Sequence, residues 1–212
     1  MCVGKNYLDH VAEVAAVRQG EVSEAPKYPV LFTKAPSTVI GPDDPIPSHH
    51  KLTKWLDYEA ELAVVLGSSG VDIEPENAMS HVFGYTIGND VTARELQKRH
   101  GQWFKGKSLD GTCPLGPVLV PASEIGDPES LSIGCRVNDQ VRQASNTANM
   151  IFKIPEIISV LSKGMTLFPG DIILTGTPDG VGFAMDPPQV LKSGDKVEVE
   201  IEKLGILRNH VV

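Results

Sequence analysis

Short apolar runs separated by turn residues recur along the chain and predict strands rather than long helices. The clearest run is 57–67, which opens with acidic residues, continues as an uninterrupted apolar segment and ends at a glycine. Further strands are predicted at 30–32, 82–88 and 172–174. The first four residues look like the end of a strand whose beginning lies upstream, so we expect residues to be missing there.

Helical signals are fewer and come with recognisable start residues. Residues 6–17 are predicted to form a short helix with Asn6 as its N-cap. Thr92 and Glu95 match the capping-box pattern, in which a hydroxyl and a carboxylate satisfy the first free amides of a helix. A second helix is therefore predicted to begin at Thr92.

The second half of the chain combines a hairpin, an apolar helix and a final strand pair. Residues 131–143 read as a hairpin that turns at 137–140. A core helix is predicted within 150–163, starting near Pro155. Its apolar stripe comprises Ile157, Val160 and Leu161.

Near the end of the chain, residues 197–202 alternate between apolar residues and glutamates, which predicts an edge strand with a solvated outer face. A turn at Gly205 then leads into the last residues. Many short strands, few helices and no regular strand-helix rhythm indicate an α+β fold that is mainly β, mixed or antiparallel, with peripheral helices. A length of 212 residues suits one domain over 1–212.

Composition narrows the classes of partner. Nineteen basic against 27 acidic residues give a net charge of -8 without any basic run, so no nucleic acid partner is expected. Apolar runs fall far short of the ~20 residues of a membrane span, and no membrane association is expected. Cys2, Cys113 and Cys135 are scattered and odd in number, which argues against a disulfide framework or a zinc site and favours a reducing compartment.

Three carboxylates form the first candidate site. Glu59 and Glu61 are two residues apart on a predicted strand and therefore share one face. Alone, such a pair is more often a solvated surface, because most charged residues are exposed. Asp90 follows the next buried strand and supplies a third carboxylate. A hard divalent cation is the partner that would best compensate the three charges.

Other residues could take part in catalysis or ligand binding, and each also has an ordinary structural explanation. His10 and Glu13 lie three apart on a predicted helix, where a carboxylate can orient an imidazole as a base, although such pairs are commonly solvent-facing. Lys34 and Lys107 could neutralise an anionic ligand, or could simply be exposed lysines. The small-residue loop 175–182 offers amides and hydroxyls that can hold a carboxylate.

Five motifs in this order resemble the fumarylacetoacetate hydrolase superfamily across nearly the whole chain. They are Val3-Gly4-Lys5-Asn6-Tyr7 with Asp9-His10, Asp57-Tyr58-Glu59-Ala60-Glu61-Leu62-Ala63-Val64-Val65, Gly88-Asn89-Asp90-Val91-Thr92-Ala93-Arg94, Gly106-Lys107-Ser108, and Gly170-Asp171-Ile172-Ile173-Leu174-Thr175-Gly176-Thr177-Pro178. The resemblance implies a mixed β-sandwich roll of the family's C-terminal domain type, usually a homodimer. Family members carry sequence before the first motif, so an N-terminal segment is expected to be missing.

The resemblance also implies roles for individual residues and a class of substrate. It implies a site for Mg²⁺ or Mn²⁺, with Ca²⁺ as a substitute in crystals, and its ligands would be Glu59, Glu61 and Asp90. The implied catalytic residues are His10, Glu13 and Lys107. The implied substrate contacts are Gln97 and Thr177, and Lys34 joins them as a candidate from its position after a strand. The substrates would be small 2-oxo acids with a second carbonyl.

Several functions fit these roles. The runs 113–117, 191–195 and 204–206 look most like the branch associated with keto-enol tautomerisation of oxaloacetate through a metal-bound enolate. A C–C bond hydrolase of acylpyruvates or fumarylacetoacetate-like diketo acids is the alternative, as is an oxaloacetate decarboxylase, because all three reactions pass through an enolate. A metal-stabilised binding protein without turnover is a third hypothesis. We expect a cytoplasmic protein, or a mitochondrial one if a missing N-terminus carries a targeting signal.

Overall fold

A seven-stranded mixed sheet forms the centre of the structure, a computed structural model that describes residues 1–17 and 24–212. The strands are β1 (Cys2–Gly4), β2 (Val30–Phe32), β3 (Val39–Ile40), β4 (Pro45–Ile46), β5 (Leu56–Asp57), β6 (Ala60–Leu66), β7 (Val82–Asn89), β8 (Thr92–Ala93), β9 (Cys113–Pro121), β10 (Ser132–Val137), β11 (Gln140–Asn146), β12 (Ile172–Leu174), β13 (Lys196–Ile201) and β14 (Gly205–Val211). The helices are α1 (Leu8–Val17), α2 (Pro75–Ala78), α3 (Arg94–Arg99), α4 (Phe104–Lys107), α5 (Ala122–Ile125) and α6 (Ile154–Ser162).

The strands assemble into two larger sheets and a two-stranded ribbon. The first sheet has the order β2-β1-β12-β6-β7-β9-β3, the second has the order β11-β10-β13-β14-β4, and β5 pairs with β8. Most pairs are antiparallel, whereas β1 with β12, β3 with β9 and β14 with β4 are parallel. The predicted α+β fold, mainly β with curled mixed sheets and peripheral helices, is confirmed.

The hydrophobic core lies between the two larger sheets, and β6 is central to it. Leu62 and Val64 point into the main core cluster, which also contains residues of β10, β13 and β14. Ala63 points the opposite way, into a small cluster with Cys2 and Leu174. Burial on both faces explains why this strand reads as a continuous apolar run. It also places Glu61 on the face of Ala63, away from the main core.

Several elements follow directly from local chemistry. The β10–β11 hairpin turns through Asn138 and Asp139, both in the left-handed region with φ of 51° and 65°, as a tight hairpin turn requires. Helix α6 begins at Ile154 with Pro155 in its first turn, as predicted. None of the described helices combines the length and the apolar character that a membrane-spanning helix needs.

Asn6 is not a helix cap, and that prediction is wrong. Helix α1 begins at Leu8, while Asn6 is fully buried. Its amide nitrogen donates to the carbonyl oxygens of Phe152 (3.1 Å) and Thr175 (2.8 Å), and its oxygen accepts from the amide of Phe152 (2.7 Å). The side chain therefore joins three distant segments instead of starting a helix.

The predicted capping box is also wrong, because both of its residues have other partners. Thr92 lies in β8 and its hydroxyl donates to the carbonyl of Asp90 (2.8 Å), so the helix begins two residues later, at Arg94. The Glu95 carboxylate accepts from the Thr53 hydroxyl (2.6 Å) instead of a helix amide. Tertiary contacts of the short β5–β8 ribbon thus override the local signal.

Two predictions about exposure fail for similar reasons. Strand β13 is not an edge strand, because β10 and β14 flank it on both sides. Its Glu198 is largely buried and accepts from Arg208 (2.6 Å), while Glu200 remains on the wet face. Val160 does not belong to the buried stripe of α6, since it is 37% exposed and Ile158 is buried in its place.

Replacing Asn6 should destabilise the fold much more than an ordinary surface substitution. Asn6→Ala leaves two buried carbonyls and one buried amide without their partner, and we expect the free energy of unfolding to fall by about 3 kcal/mol or more. Chemical denaturation measures the change, with Asn77→Ala at an exposed position as the control. Equal effects of the two substitutions would contradict the structural role of Asn6.

Candidate metal centre and active site

Three carboxylates converge where β6 and β7 run side by side. Glu59 precedes β6, Glu61 is its second residue, and Asp90 directly follows β7. The pairing of the strands is extended past their ends, since the Asp90 amide donates to the Glu59 carbonyl (2.9 Å) and the Glu59 amide donates to Asn89 Oδ1 (3.1 Å). One oxygen from each carboxylate lies within 4.8 Å of the others, and all three residues are buried.

Three buried cations surround this acidic triad. Lys107 donates from Nζ to Glu59 Oε2 and to Asp90 Oδ2, both at 2.6 Å. Lys34 Nζ lies 2.8 Å from Asp90 Oδ1, and Arg94 donates from Nη1 to Glu59 Oε1 at 2.6 Å. Each carboxylate oxygen of Glu59 and Asp90 therefore has a positively charged partner, which offsets much of the cost of burial.

Glu61 is compensated differently. Among the described residues, none of these three cations forms an ion pair with Glu61, and its Oε2 instead accepts from the Gly176 amide (2.7 Å). Burial raises the pKa of the Glu61 carboxyl, and the charges of Asp90 and Glu59 raise it further. Burial also opposes ionisation of Glu59, but Lys107 and Arg94 outweigh it and lower its pKa to about 2.

The donor set suits a hard divalent cation. Three carboxylate oxygens at this spacing are the ligands that Mg²⁺ and Mn²⁺ prefer in proteins. Lys34, Arg94 and Lys107 pair with Glu59 and Asp90 but not with Glu61. A bound cation would balance the remaining negative charge of Glu61. The observed residues therefore fit the metal site that the sequence predicts.

Arg94 is held in place by a second buried carboxylate. Asp57 Oδ2 accepts from Arg94 Nε (2.9 Å) and from the Phe183 amide (3.1 Å). Its Oδ1 accepts from the amides of Gly182 (2.8 Å) and Tyr58 (3.0 Å). Burial raises the pKa of Asp57, whereas Arg94 lowers it. Asp57 thus links the start of the glutamate strand, Arg94 and the loop at 182–183.

The predicted dyad is present on α1. His10 Nδ1 lies 2.7 Å from Glu13 Oε1, and the other oxygen of Glu13 accepts from the Gly180 amide at 2.9 Å. Because a carboxylate only accepts, this contact assigns the ring proton to Nδ1 and leaves Nε2 as the basic nitrogen. The dyad therefore has the arrangement that a general base needs.

One cavity brings most of the predicted site residues together. Those that line it are His10, Glu59, Glu61, Gln97, Lys107 and Thr177. Glu13 supports His10 from its other side, and Asp90 is completely buried beside Glu59. Lys34 lines a separate apolar pocket with Cys2, and its ammonium is engaged by Asp90 and the Val91 carbonyl (3.0 Å). Its role as a substrate contact stays a prediction.

The small-residue loop that follows β12 binds carboxylates, but they are the protein's own. The amides of Gly176, Gly180 and Gly182 donate to Glu61, Glu13 and Asp57 respectively. This loop therefore connects the metal ligands, the His10–Glu13 dyad and the Asp57–Arg94 ion pair. Gly176 has φ of 99°, and a Cβ there would lie 2.7 Å from the Asn6 side chain, so only glycine suits the position.

Sequence reasoning missed three residues of the site. Arg94 and Asp57 were given no role, although Arg94 ends one resembling motif and Asp57 opens another, two residues before Glu59. Gln143 lay in the predicted hairpin without a role, yet it is buried and contacts both Ala60 and Thr177. A polar residue among inward-facing positions of a hairpin was the available signal.

The chain is similar over its whole length to one protein family and to named relatives. The family model described as fumarylacetoacetate (FAA) hydrolase C-terminal matches residues 1–212. Oxaloacetate tautomerase YisK of Bacillus subtilis is 54% identical over 211 residues, covering 100% of this chain and 68% of that protein. The mitochondrial oxaloacetate tautomerase Fahd2a of Rattus norvegicus is 46% identical over 213 residues, covering 100% of this chain and 66% of that protein. The chain thus spans about two thirds of the length of these relatives.

Solved structures show the same fold. A fumarylacetoacetate hydrolase from Exiguobacterium antarcticum matches with a TM-score of 0.88 and 50% identity, over 99% of this chain and 73% of that one. Fumarylpyruvate hydrolase from Pseudomonas aeruginosa, in complex with Mn²⁺ and pyruvate, matches with a TM-score of 0.85 and 33% identity, over 100% of this chain and 88% of that one. A solved 2-hydroxyhepta-2,4-diene-1,7-dioate isomerase from Mycobacterium marinum also matches, with a TM-score of 0.83 and 39% identity, over 100% of this chain and 73% of that one. Structures with hydrolase names and with isomerase names therefore share this architecture.

Removing the charge of Glu61 should weaken metal binding sharply. Glu61→Gln keeps the shape of the side chain but removes the one carboxylate that lacks a cationic partner among Lys34, Arg94 and Lys107. Because even residues outside the ligand shell change metal affinity about 10- to 100-fold, we expect the Kd for Mn²⁺ to rise by at least about 100-fold. Calorimetric titration measures it, with Glu200→Gln on the exposed sheet face as the control. An unchanged Kd would remove Glu61 from the ligand set.

Replacing Asp57 should affect both stability and the position of Arg94. Asp57→Asn places an NH₂ group where Arg94 or the amides of Gly182 and Phe183 now donate. We expect the free energy of unfolding to fall by about 3 kcal/mol, because the buried ion pair with Arg94 loses its negative partner. Asp139→Asn, at an exposed ion pair with Lys196, is the matched control and should leave the denaturation midpoint nearly unchanged. Equal midpoints for both variants would show that Asp57 does not hold this loop.

Proposed function

We propose that this chain, which belongs to the fumarylacetoacetate (FAA) hydrolase family, is a divalent-metal-dependent enzyme that interconverts the keto and enol forms of oxaloacetate. The observation that carries the proposal is the convergence of three carboxylates with the His10–Glu13 dyad and Lys107 around one cavity. The oxaloacetate tautomerase names of the bacterial and rat relatives support the choice of reaction. We propose that 1–212 forms a single catalytic domain.

A divalent cation held by Glu59, Glu61 and Asp90 would act as a Lewis acid towards the carboxylate and the oxo group of a 2-oxo acid. Mg²⁺ and Mn²⁺ are the ions we propose, and the Mn²⁺ named with the Pseudomonas aeruginosa hydrolase supports a divalent metal in this family. The neighbouring ammonium of Lys107 adds positive charge where negative charge develops during the reaction.

The reaction itself moves one proton. Enolisation takes a proton from C3 of oxaloacetate and adds one to the oxygen at C2, so nothing else enters or leaves. His10 Nε2 is the proposed base, because Glu13 occupies Nδ1. Gln97 and Thr177, which line the same cavity, are proposed to donate hydrogen bonds to the substrate's anionic oxygens. Gln97 and Thr177 would thus bind and orient the substrate, and the His10–Glu13 dyad would move the proton.

A C–C bond hydrolase is the second candidate. The two solved relatives carry hydrolase names, and a His–Glu dyad that removes a proton from carbon can equally remove one from water. An acylpyruvate or a fumarylacetoacetate-like diketo acid would then be the substrate. Decarboxylation of oxaloacetate would use the same stabilised charge and would release CO₂.

Two further proposals concern the assembly and its compartment. A homodimer stays a prediction, supported by apolar side chains exposed on the neighbouring strands β7 and β9, namely Phe83, Val118 and Leu119. A small 2-oxo acid is the partner that we propose, because the described site residues line a cavity of small-molecule size. A cytoplasmic or mitochondrial location also stays a prediction, and the name of the relative from Rattus norvegicus, which includes the word mitochondrial, supports the second of these.

A substrate panel tests the proposed reaction directly. With Mn²⁺ present, freshly dissolved oxaloacetate should lose or gain its conjugated enol absorbance far faster than in buffer, and a chelator should abolish the effect. Acetylpyruvate is assayed in parallel for released pyruvate, and oxaloacetate for released CO₂. His10→Asn should slow enol conversion by about 100- to 10,000-fold without changing Mn²⁺ affinity, because a general base contributes that range.

The matched control is His210→Asn, at an exposed histidine on β14, which should keep full activity. Faster cleavage of acetylpyruvate than enol conversion would identify a hydrolase instead. Metal binding without turnover of either substrate would favour the metal-stabilised binding protein.

A further inference from the structure

We propose that Gln143 is a positioning residue that fixes the hydroxyl of Thr177 as a hydrogen-bond donor to an anionic oxygen of the 2-oxo acid. This inference rests on the proposed function, in which Thr177 contacts the substrate. It adds a residue from the second sheet to a site otherwise built on the first sheet, its loops and the helices α1, α3 and α4. Gln143 itself does not line the cavity, so it acts through Thr177.

The Gln143 side chain spans the gap between the two sheets. It lies on β11 and is only 1% exposed. Its Oε1 accepts from the amide of Ala60 (3.0 Å), while its Nε2 donates to Thr177 Oγ1 (2.8 Å) and to the carbonyl of Pro178 (2.8 Å). All three contacts are buried, so water does not compete with them.

Two backbone groups determine which end of the amide faces which partner. The amide of Ala60 can only donate, so it must face Oε1 of Gln143. The carbonyl of Pro178 can only accept, so it must face Nε2. The opposite orientation would place donor against donor and acceptor against acceptor. Nε2 therefore also faces the Thr177 hydroxyl and uses its second hydrogen there.

This orientation of the Gln143 amide determines the direction in which the Thr177 hydroxyl donates its hydrogen. Its Oγ1 accepts from Gln143, so the hydroxyl hydrogen must point elsewhere. Within the part of the chain that the structure describes, no protein acceptor takes that hydrogen, and the Thr177 side chain lines the cavity beside Glu61 and His10. The carboxylate and oxo oxygens of a 2-oxo acid are all acceptors. A hydroxyl held as a donor therefore matches this class of ligand.

Gln143 also connects substrate contact and metal site. Ala60, which donates to its oxygen, stands between Glu59 and Glu61, and Pro178 directly follows Thr177. One buried amide thus fixes the strand of the metal ligands relative to the loop of the substrate contact. The distance between the metal site and the Thr177 hydroxyl is the quantity that this bridge sets.

Gln143→Glu keeps the shape of the side chain but removes the N–H group that donates to Thr177. The substituted side chain keeps an oxygen for the Ala60 amide, but its other oxygen carries at most one hydrogen, which the Pro178 carbonyl takes. That oxygen then accepts from Thr177, whose hydrogen turns away from the cavity. A hydrogen bond to a charged group is lost, so the Kd of the Mn²⁺-loaded protein for pyruvate should rise about 10- to 100-fold.

The measurement is a calorimetric titration of pyruvate into the Mn²⁺-loaded protein, repeated in a Thr177→Val background. If Gln143 acts through the Thr177 hydroxyl, Gln143→Glu weakens pyruvate binding in the unchanged background and has little further effect in the Thr177→Val background. The Kd for Mn²⁺ should change less than about twofold in Gln143→Glu and in Thr177→Val, because both keep an oxygen that accepts from the Ala60 amide. Gln140→Glu, at an exposed position of the same strand, is the control and should leave pyruvate binding unchanged.

Binding is measured without turnover, so failure of the proposed reaction and failure of this inference are distinguishable. Pyruvate binding that depends on Gln143 and Thr177 would support the inference even if oxaloacetate is not tautomerised. Unchanged affinity in Gln143→Glu would overturn it, as would an equal loss with and without the Thr177 hydroxyl. If Gln143→Glu does not fold, Gln143→Met in both backgrounds gives the same comparison, with a smaller expected loss.

Discussion

Charge balance among buried groups is the constraint on which the site depends. Asp57, Glu59, Glu61 and Asp90 are buried against Lys34, Arg94 and Lys107 at the ends of adjacent strands. Isolated charges would be very costly there, and the pairing makes burial tolerable for all but Glu61. Because Glu61 sits next to paired carboxylates, the site retains affinity for one further positive charge. A divalent cation is the partner whose ligand preference matches the oxygens on offer.

The fold supplies rigidity to this arrangement. Pairing of β6 with β7 fixes Glu61 relative to Asp90, and the glycine-rich loop after β12 fixes Glu61, Glu13 and Asp57 through its backbone amides. The second sheet contributes the buried amide of Gln143. A catalytic site needs its groups held within about 0.5 Å, and backbone contacts of this kind provide that precision better than flexible side chains do.

The sequence predicted the strands with continuous apolar composition, the hairpin turn and the three carboxylates, because each is a local pattern. It failed where distant partners decide the outcome. Thr92 and Glu95 look like a helix start until Thr53 and the β5–β8 ribbon are known, and Asn6 looks like a cap until Phe152 and Thr175 are seen to surround it. Arg94, Asp57 and Gln143 were missed for the same reason, since most of their side-chain contacts are with residues far along the chain. Knowing the family motifs identified which acidic residues matter, but not what holds them.

The most direct test is anomalous diffraction at the manganese edge from a crystal of the protein soaked in Mn²⁺. A divalent site in the acidic triad predicts one strong peak between the carboxylates of Glu59, Glu61 and Asp90. No peak there, with Lys107 still bonded to both Glu59 and Asp90, would contradict the metal centre and the reaction proposed from it.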